Sequence, residues 1–243
     1  QFMKITTLTA LQAVMGGRSH GTAIEGKPPH HKTGGFRNYP PAPEPQMPGL
    51  SFLFRRVKQG LLDPPQVPQG HVIKESLALA ELSHFSGSES VTWIGHSTYL
   101  MRLENKHILF DPFFSDLASP IPMGPMRYVP PGISLGKLPP VDVIIISHNH
   151  YDHLDARTID AMPGKEKIHV FVPLGLKTFF AKRGYTHIRE LDWHQSVALD
   201  GLRLTALPGI HFSGRGLGDG NKTLWCSWAV CSENKSCFFA GDT

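Results

Sequence analysis

Short apolar runs separated by turn residues dominate the chain from about Ser90 onward. "VTWIG", "YLMRLE" and "HILF" read as strands joined by hairpin-like connections. "VDVIIIS" is a continuous β-branched run, the pattern of a strand covered on both faces. "ARTIDAM" and "LKTFFAKRG" read as helices, the second with Gly184 at its end. "IHVFVP", "LRLTALP", "TLWCSWAV" and "CFFAGD" read as further strands. Strands, then helices, then more strands predict a layered α/β sandwich. The Pro-rich connection between Asp111 and Val141 is long, and loops of that length usually form the wall or lid of a site.

Residues 1–88 differ in character: they are rich in Pro, Gly and His, with weak periodicity, and read as an N-terminal extension to a domain over 89–243. Inside the extension, "PGLSFLFRRVKQGLL" predicts a short basic amphipathic helix. Leu50, Leu53, Phe54, Val57 and Leu61 fall at helical spacing, with Arg55, Arg56 and Lys58 largely opposite. Such a helix either docks on the main domain or lies on a membrane surface. The opening "QFMKITTLTALQAVMGG" only faintly resembles a secretory signal, because Thr and Gln break its apolar stretch. No apolar run approaches the ~20 residues of a membrane span.

Composition adds three constraints. Twenty-four basic residues against 20 acidic ones give a net charge of +4, too balanced to imply a nucleic-acid partner. Cys226, Cys231 and Cys237 lack Cys-x-x-Cys spacing and read as free thiols in a reducing, intracellular compartment. The 14 histidines make a histidine-based site the first thing to look for.

That site is announced by "SHNHYDHLD", which directly succeeds the buried-strand run. His148 and His150, one residue apart in an extended turn, can aim two imidazoles at one point, while Asp152 and His153 face an adjacent one. Imidazole with carboxylate suits zinc, and two pairs suggest two metals. His211 in "LPGIHFSGRG" and Asp242 in "FFAGDT" each sit just past a strand, where a third imidazole and a bridging carboxylate would complete the set. Five other residues admit two readings each. His96 is structural or a ligand. Asp111 accepts a hydrogen bond from an imidazole or only forms a turn. Tyr151 meets a substrate phosphate or packs beside the ligand loop. Arg215, with Lys222, neutralises a phosphate or is a solvated charge.

The pattern resembles the metallo-β-lactamase superfamily over about 91–243. Within it, "WIGHST", "FDPFFSDLASP", "MGPMRY", "LPPVDVIIISHNHYDHLD", "FVPLGL", "ELDW", "DGNKTLWCSWAV" and "FFAGDT" resemble N-acylphosphatidylethanolamine-hydrolysing phospholipase D and its bacterial relatives. "FRNYP" near the start is similar too. The resemblance implies an αββα sandwich, cut short at its C-terminal end in this chain. It implies two Zn2+ per complete chain: His148, His150 and His211 on the first, Asp152 and His153 on the second, and Asp242 bridging. A further histidine ligand is expected beyond Thr243, so the second site is expected to be incomplete and residues 1–243 alone to be inactive. Asp152 is the expected catalytic carboxylate and Tyr151 a substrate contact. The implied reaction is hydrolysis of an N-acylated phosphatidylethanolamine by a peripherally membrane-associated intracellular enzyme. A lactone or other carbonyl substrate is the alternative. Oligomeric state stays open, a homodimer included.

Overall fold

The computed structural model describes residues 24–42, 66–121, 125–216 and 218–243. The predicted basic helix over 49–62 and the signal-like stretch lie outside the described residues. Among the described residues, no helix is long and apolar enough to cross a membrane.

The elements are β1 (His31–Lys32), β2 (Gly35–Phe36), α1 (Glu75–His84), β3 (Ser90–Gly95), β4 (Thr98–Leu103), β5 (Lys106–Phe110), β6 (Val143–Ile145), α2 (Ala156–Ala161), β7 (His169–Pro173), α3 (Lys177–Ala181), β8 (His187–Leu191), β9 (Ser196–Leu199), β10 (Leu202–Leu207), β11 (Ser227–Cys231) and β12 (Ser236–Phe239). They form a six-stranded sheet of order β3-β4-β5-β6-β7-β8, a four-stranded sheet of order β12-β11-β10-β9, and the small β1-β2 hairpin. The predicted strands are all present. β8, β9 and α1 go beyond the sequence reading, because many of their positions are exposed and break the apolar pattern.

The two faces of the large sheet are buried in different ways. Phe110, Ile145 and Phe171 turn toward the four-stranded sheet and meet Leu204, Trp225 and Trp228. Leu109, Ile144 and Val170, one residue off, turn the other way and meet Ala78 of α1, Ile159 of α2 and Phe180 of α3. Alternation along β5, β6 and β7 therefore feeds two cores, which is why "VDVIIIS" has no polar face. The result is a layered α/β sandwich, with the described helices on one outer face. The described parts of the extension belong to the same body: Phe36 joins the inter-sheet core and Ala78 the helix-side core.

Strand direction fixes where the connecting loops gather. β5 through β8 run parallel, so their C-terminal ends share one edge of the sheet. In the other sheet β11 is antiparallel to both β10 and β12, so β10 and β12 run the same way as each other. The seam between the sheets is closed by side-chain bonds as well as apolar contact. Trp228 Nε1 donates to the Ile146 carbonyl at 2.8 Å and Trp193 Nε1 to the Trp225 carbonyl at 2.6 Å.

Trp228 is fully buried and its indole N–H holds the carbonyl that precedes the ligand loop. Trp228→Phe is expected to lower stability by about 1–3 kcal/mol, the cost of an orphaned buried acceptor, with some further loss from the smaller ring. Urea unfolding should show a lower midpoint at unchanged m-value; an unchanged midpoint would mean that the bond contributes nothing.

Candidate metal centre

Six residues singled out in the sequence converge at this shared edge. His148, His150, Asp152 and His153 come after β6, His211 after β10 and Asp242 after β12. His148, His150 and His211 offer ring nitrogens that lie within 4.8 Å of one another. His211 Nε2 faces His150 Nδ1 at 3.2 Å. Nitrogens on one tetrahedral zinc at ~2.0–2.1 Å stand about 3.3 Å apart, so this spacing fits a shared ion.

The second group forms around His153. Its Nε2 lies 3.2 Å from Asp242 Oδ1 and 3.9 Å from Asp152 Oδ2, while Asp242 Oδ2 lies 3.9 Å from His211 Nε2. Asp242 thus lies between the two groups. The donors are also unsatisfied. His148 Nε2, His150 Nε2, Asp152 Oδ1 and His153 Nε2 are buried without hydrogen-bond partners. Buried polar atoms are ordinarily paired, so the orphaned His148 Nε2, Asp152 Oδ1 and His153 Nε2 fit cations held by nitrogen and oxygen; His150 turns Nδ1 toward His211, and its orphaned Nε2 is the other ring nitrogen.

Behind the donors sits Asp111, fully buried at the end of β5. Its Oδ1 accepts the Ser147 backbone N–H at 2.7 Å, and its Oδ2 accepts His153 Nδ1–H at 2.7 Å as well as the Ser147 hydroxyl. Ser147 Oγ, having donated its proton to Asp111, accepts His148 Nδ1–H at 2.8 Å. Asp111 therefore orients both rings through Nδ1, directly for His153 and through Ser147 for His148, so that Nε2, once free of a proton, is the nitrogen left for a metal. Of the two readings of Asp111, the hydrogen-bond acceptor holds. Gly241 completes the fit: a Cβ there would lie 2.8 Å from Ser147 Cβ, so only glycine lets the Asp242 strand end approach this close.

The remaining positions have clear partners. His96, in a left-handed backbone conformation (φ 52°), places Nε2 2.9 Å from Asp152 Oδ2. It orients that carboxylate and leaves Oδ1 free. Tyr151 donates its hydroxyl to the Arg215 carbonyl and packs with Phe113 and Ala118, which favours the packing reading over a substrate contact. Arg215 is not a free surface charge. Its Nη1 donates to the carbonyls of Asn149, at 2.8 Å, and Leu154, with its guanidinium 4.1 Å over the Tyr151 ring. Burial lowers its pKa to about 10. It ties the ligand loop to the His211 loop, as does Asn149 Oδ1, which accepts Gly214 N–H at 2.7 Å. His194 is exposed and makes no part of the centre. Cys226, buried at the seam, has a thiol pKa raised well above the ordinary value by desolvation and by Asp111.

The long connection after β5 folds back on itself. Leu117 bridges Met126, and Ala118 N–H donates to the Pro125 carbonyl at 3.0 Å. Its root is buried, Phe113 lying edge-on to His96 with centroids 5.8 Å apart. Ile121 and Met126 at its tip are about half exposed, at 53% and 52%. Met123 lies outside the described residues.

Comparison with known proteins agrees with this geometry. The beta-lactamase superfamily domain profile matches residues 106–243, and the chain belongs to that superfamily, with the metallo-β-lactamase fold. An uncharacterized protein of Mycobacterium tuberculosis is 37% identical over 229 residues, covering 91% of this chain and 59% of that protein. N-acyl-phosphatidylethanolamine-hydrolyzing phospholipase D 1 of Caenorhabditis elegans is 35% identical over 211 residues, covering 81% of this chain and 59% of its own. The chain therefore spans about three fifths of the length of these relatives. Among solved structures, isothiocyanate hydrolase from Delia radicum gut bacteria superposes with a TM-score of 0.50 at 24% identity, over 63% of this chain and 62% of that one; the likeness is one of fold.

The two donor groups differ in protonation. Desolvation, reinforced by the neighbouring imidazoles, lowers His148 well below the ordinary value. Burial also lowers His150 to about 3 and His211 to about 4, so the first group is already neutral near pH 7. Burial alone would lower His153 too, but Asp152, Asp111 and Asp242 together raise it well above 6.5. In the metal-free protein a proton must therefore leave His153 before its Nε2 can bind an ion. Affinity at the second group is expected to rise about tenfold per pH unit near neutrality, with one proton released, while the first group stays nearly flat. Calorimetry in buffers of differing ionisation enthalpy counts these protons; identical pH dependence at both groups would overturn the assignment.

Proposed function

We propose that this chain is a metal-dependent hydrolase that uses zinc and cleaves the phosphodiester of N-acylated phosphatidylethanolamine, yielding an N-acylethanolamine and phosphatidic acid. The observation that carries the hydrolase reading is the convergence on one edge of candidate donor side chains from two sheets, His148, His150, Asp152 and His153 after β6 with His211 after β10 and Asp242 after β12. The phospholipid reading rests on similarity to the Caenorhabditis elegans enzyme over 81% of the chain, and is supported by the half-exposed Ile121 and Met126 at the flap tip.

A bound ion pair would supply Lewis acidity at the scissile group and a water made acidic enough to attack near neutral pH. His148, His150 and His211 would hold one ion, His153 and Asp152 the other, with Asp242 between them. The protein's own part is orientation. Asp111 and Ser147 orient His148 and His153 through Nδ1. His96 holds Asp152 Oδ2 and leaves Oδ1 as the oxygen that would face the second ion and orient the attacking water beside it. The connection after β5, rooted by Phe113 beside His96, would meet the lipid surface that presents the substrate through the half-exposed Ile121 and Met126. This is a peripheral, intracellular membrane contact, compatible with either a monomer or a homodimer.

Asp152→Asn keeps size and removes the anionic donor that would hold the second ion and orient the water. It is expected to lower kcat by about 100-fold or more, the scale of losing a key electrostatic group, with the fold intact by circular dichroism. Near-normal turnover at normal metal content would assign the role elsewhere.

The substrate is tested by incubating the protein with vesicles of N-acylated phosphatidylethanolamine and monitoring phosphatidic acid by mass spectrometry. Chelation should abolish the product and added zinc restore it. Turnover of a simple lactone without phosphatidic acid would replace the phosphodiester with a carbonyl substrate and leave the metal centre standing.

A further inference from the structure

Away from the centre, His30, His31 and Asp192 form a cluster that the proposed reaction does not use. His30 Nε2 lies 2.6 Å from Asp192 Oδ1, and His31 Nε2 lies 2.7 Å from Asp192 Oδ2. Three such donors invite a metal reading, but the distances decide against it. Nitrogen and oxygen on one tetrahedral zinc stand ~3.3 Å apart, whereas 2.6–2.7 Å is the length of a charge-assisted hydrogen bond. Each imidazole donates to its own carboxylate oxygen. His30 also stacks on Trp193, with centroids 4.1 Å apart. The cluster is a clasp that fastens the β1-β2 hairpin to the end of β8.

What the clasp holds is the loop carrying His211. Phe36 N–H donates to the Asn221 carbonyl at 2.8 Å. Two residues on, Asn38 Oδ1 accepts the backbone N–H of His211 at 3.0 Å. Asn221 in turn grips Ser213, its Oδ1 accepting Ser213 N–H at 3.0 Å. Gly35 permits the approach: a Cβ there would lie 2.1 Å from the Asn221 carbonyl oxygen. The N-terminal strap therefore crosses the loop and reaches a metal ligand through its backbone.

Building on the metal-centre reading, we propose that Asn38 is a positioning residue for His211, and that the hairpin clasped to Asp192 sets the geometry of the first donor group. The six donors would hold the ions; Asn38 sets where His211 stands among them. A ligand on a loop whose backbone N–H is unanchored samples more positions, and loss of an outer contact of this kind costs about 10–100-fold in metal affinity.

Asn38→Ala is expected to weaken zinc binding at the first group by about 10–100-fold, while the second group and the urea midpoint of the metal-free protein stay close to wild type. Hydrogen exchange at the His211 amide should accelerate in the metal-free protein, a readout independent of activity. Asn38→Asp, which retains an acceptor oxygen, should restore both. Gly35→Ala, which unseats the hairpin, should reproduce the Asn38→Ala affinity loss, and the double substitution should add little further because both break one linkage. Cobalt substitution should report a changed visible spectrum only for the first group. If wild-type protein binds zinc at both groups and Asn38→Ala leaves the first unchanged, the positioning role is wrong while the metal centre stands. A uniform loss at both groups together with a lower urea midpoint would reduce Asn38 to general stability and overturn the proposal. Wild-type protein that binds no zinc would overturn the metal reading and the proposal together.

Discussion

Everything at the centre depends on one buried carboxylate. Asp111 has no access to solvent, and desolvation pushes its pKa up, against the opposing pull of His153 and Ser147. Leaving such a group unpaired inside a protein would be costly. Its oxygens are therefore occupied by the Ser147 amide, the Ser147 hydroxyl and the His153 imidazole. The same bonds that make its burial tolerable orient the donors. Stability of the β5 terminus and readiness of the site are one constraint, since neither can be relaxed without exposing the other.

The second organising fact is the division of labour between sheets. Four donors come from the loop after β6 and two from the ends of β10 and β12. Their mutual distances depend on how the layers stack, and the seam is correspondingly well fastened. Cys226 N–H donates to the Ser147 carbonyl at 2.9 Å and Trp228 to the adjacent Ile146 carbonyl. Arg215 and Asn149 add lateral ties between the two ligand-bearing loops. Packing and polar bonding act in concert here: the apolar core sets the separation, and the bonds set the lateral register.

The parts legible in the sequence share a physical reason. A strand buried on both faces must be apolar throughout, so β6 stands out, and the candidate donors directly after it can be read in order. His211 and Asp242 are legible because each comes just after an apolar run. β8 is hidden by its composition: "HIREL" carries two charges in five residues, since its outer positions face water. β9, four residues long with alternate positions exposed, gives almost no pattern. α1 buries only Ala78, and its N-cap Lys74 offers no side-chain cap, so neither its periodicity nor its start marks it. The roles of His96 and Asn38 are beyond one-dimensional reading because each acts on a residue far away in the chain, 56 and 173 positions on.

The candidate donors are all nitrogen and oxygen: the imidazoles of His148, His150, His153 and His211 and the carboxylates of Asp152 and Asp242. Cys226, whose backbone N–H meets the Ser147 carbonyl, belongs to none of the candidate donor groups among the described residues. Such a set favours borderline or hard divalent ions over thiophilic ones such as copper(I).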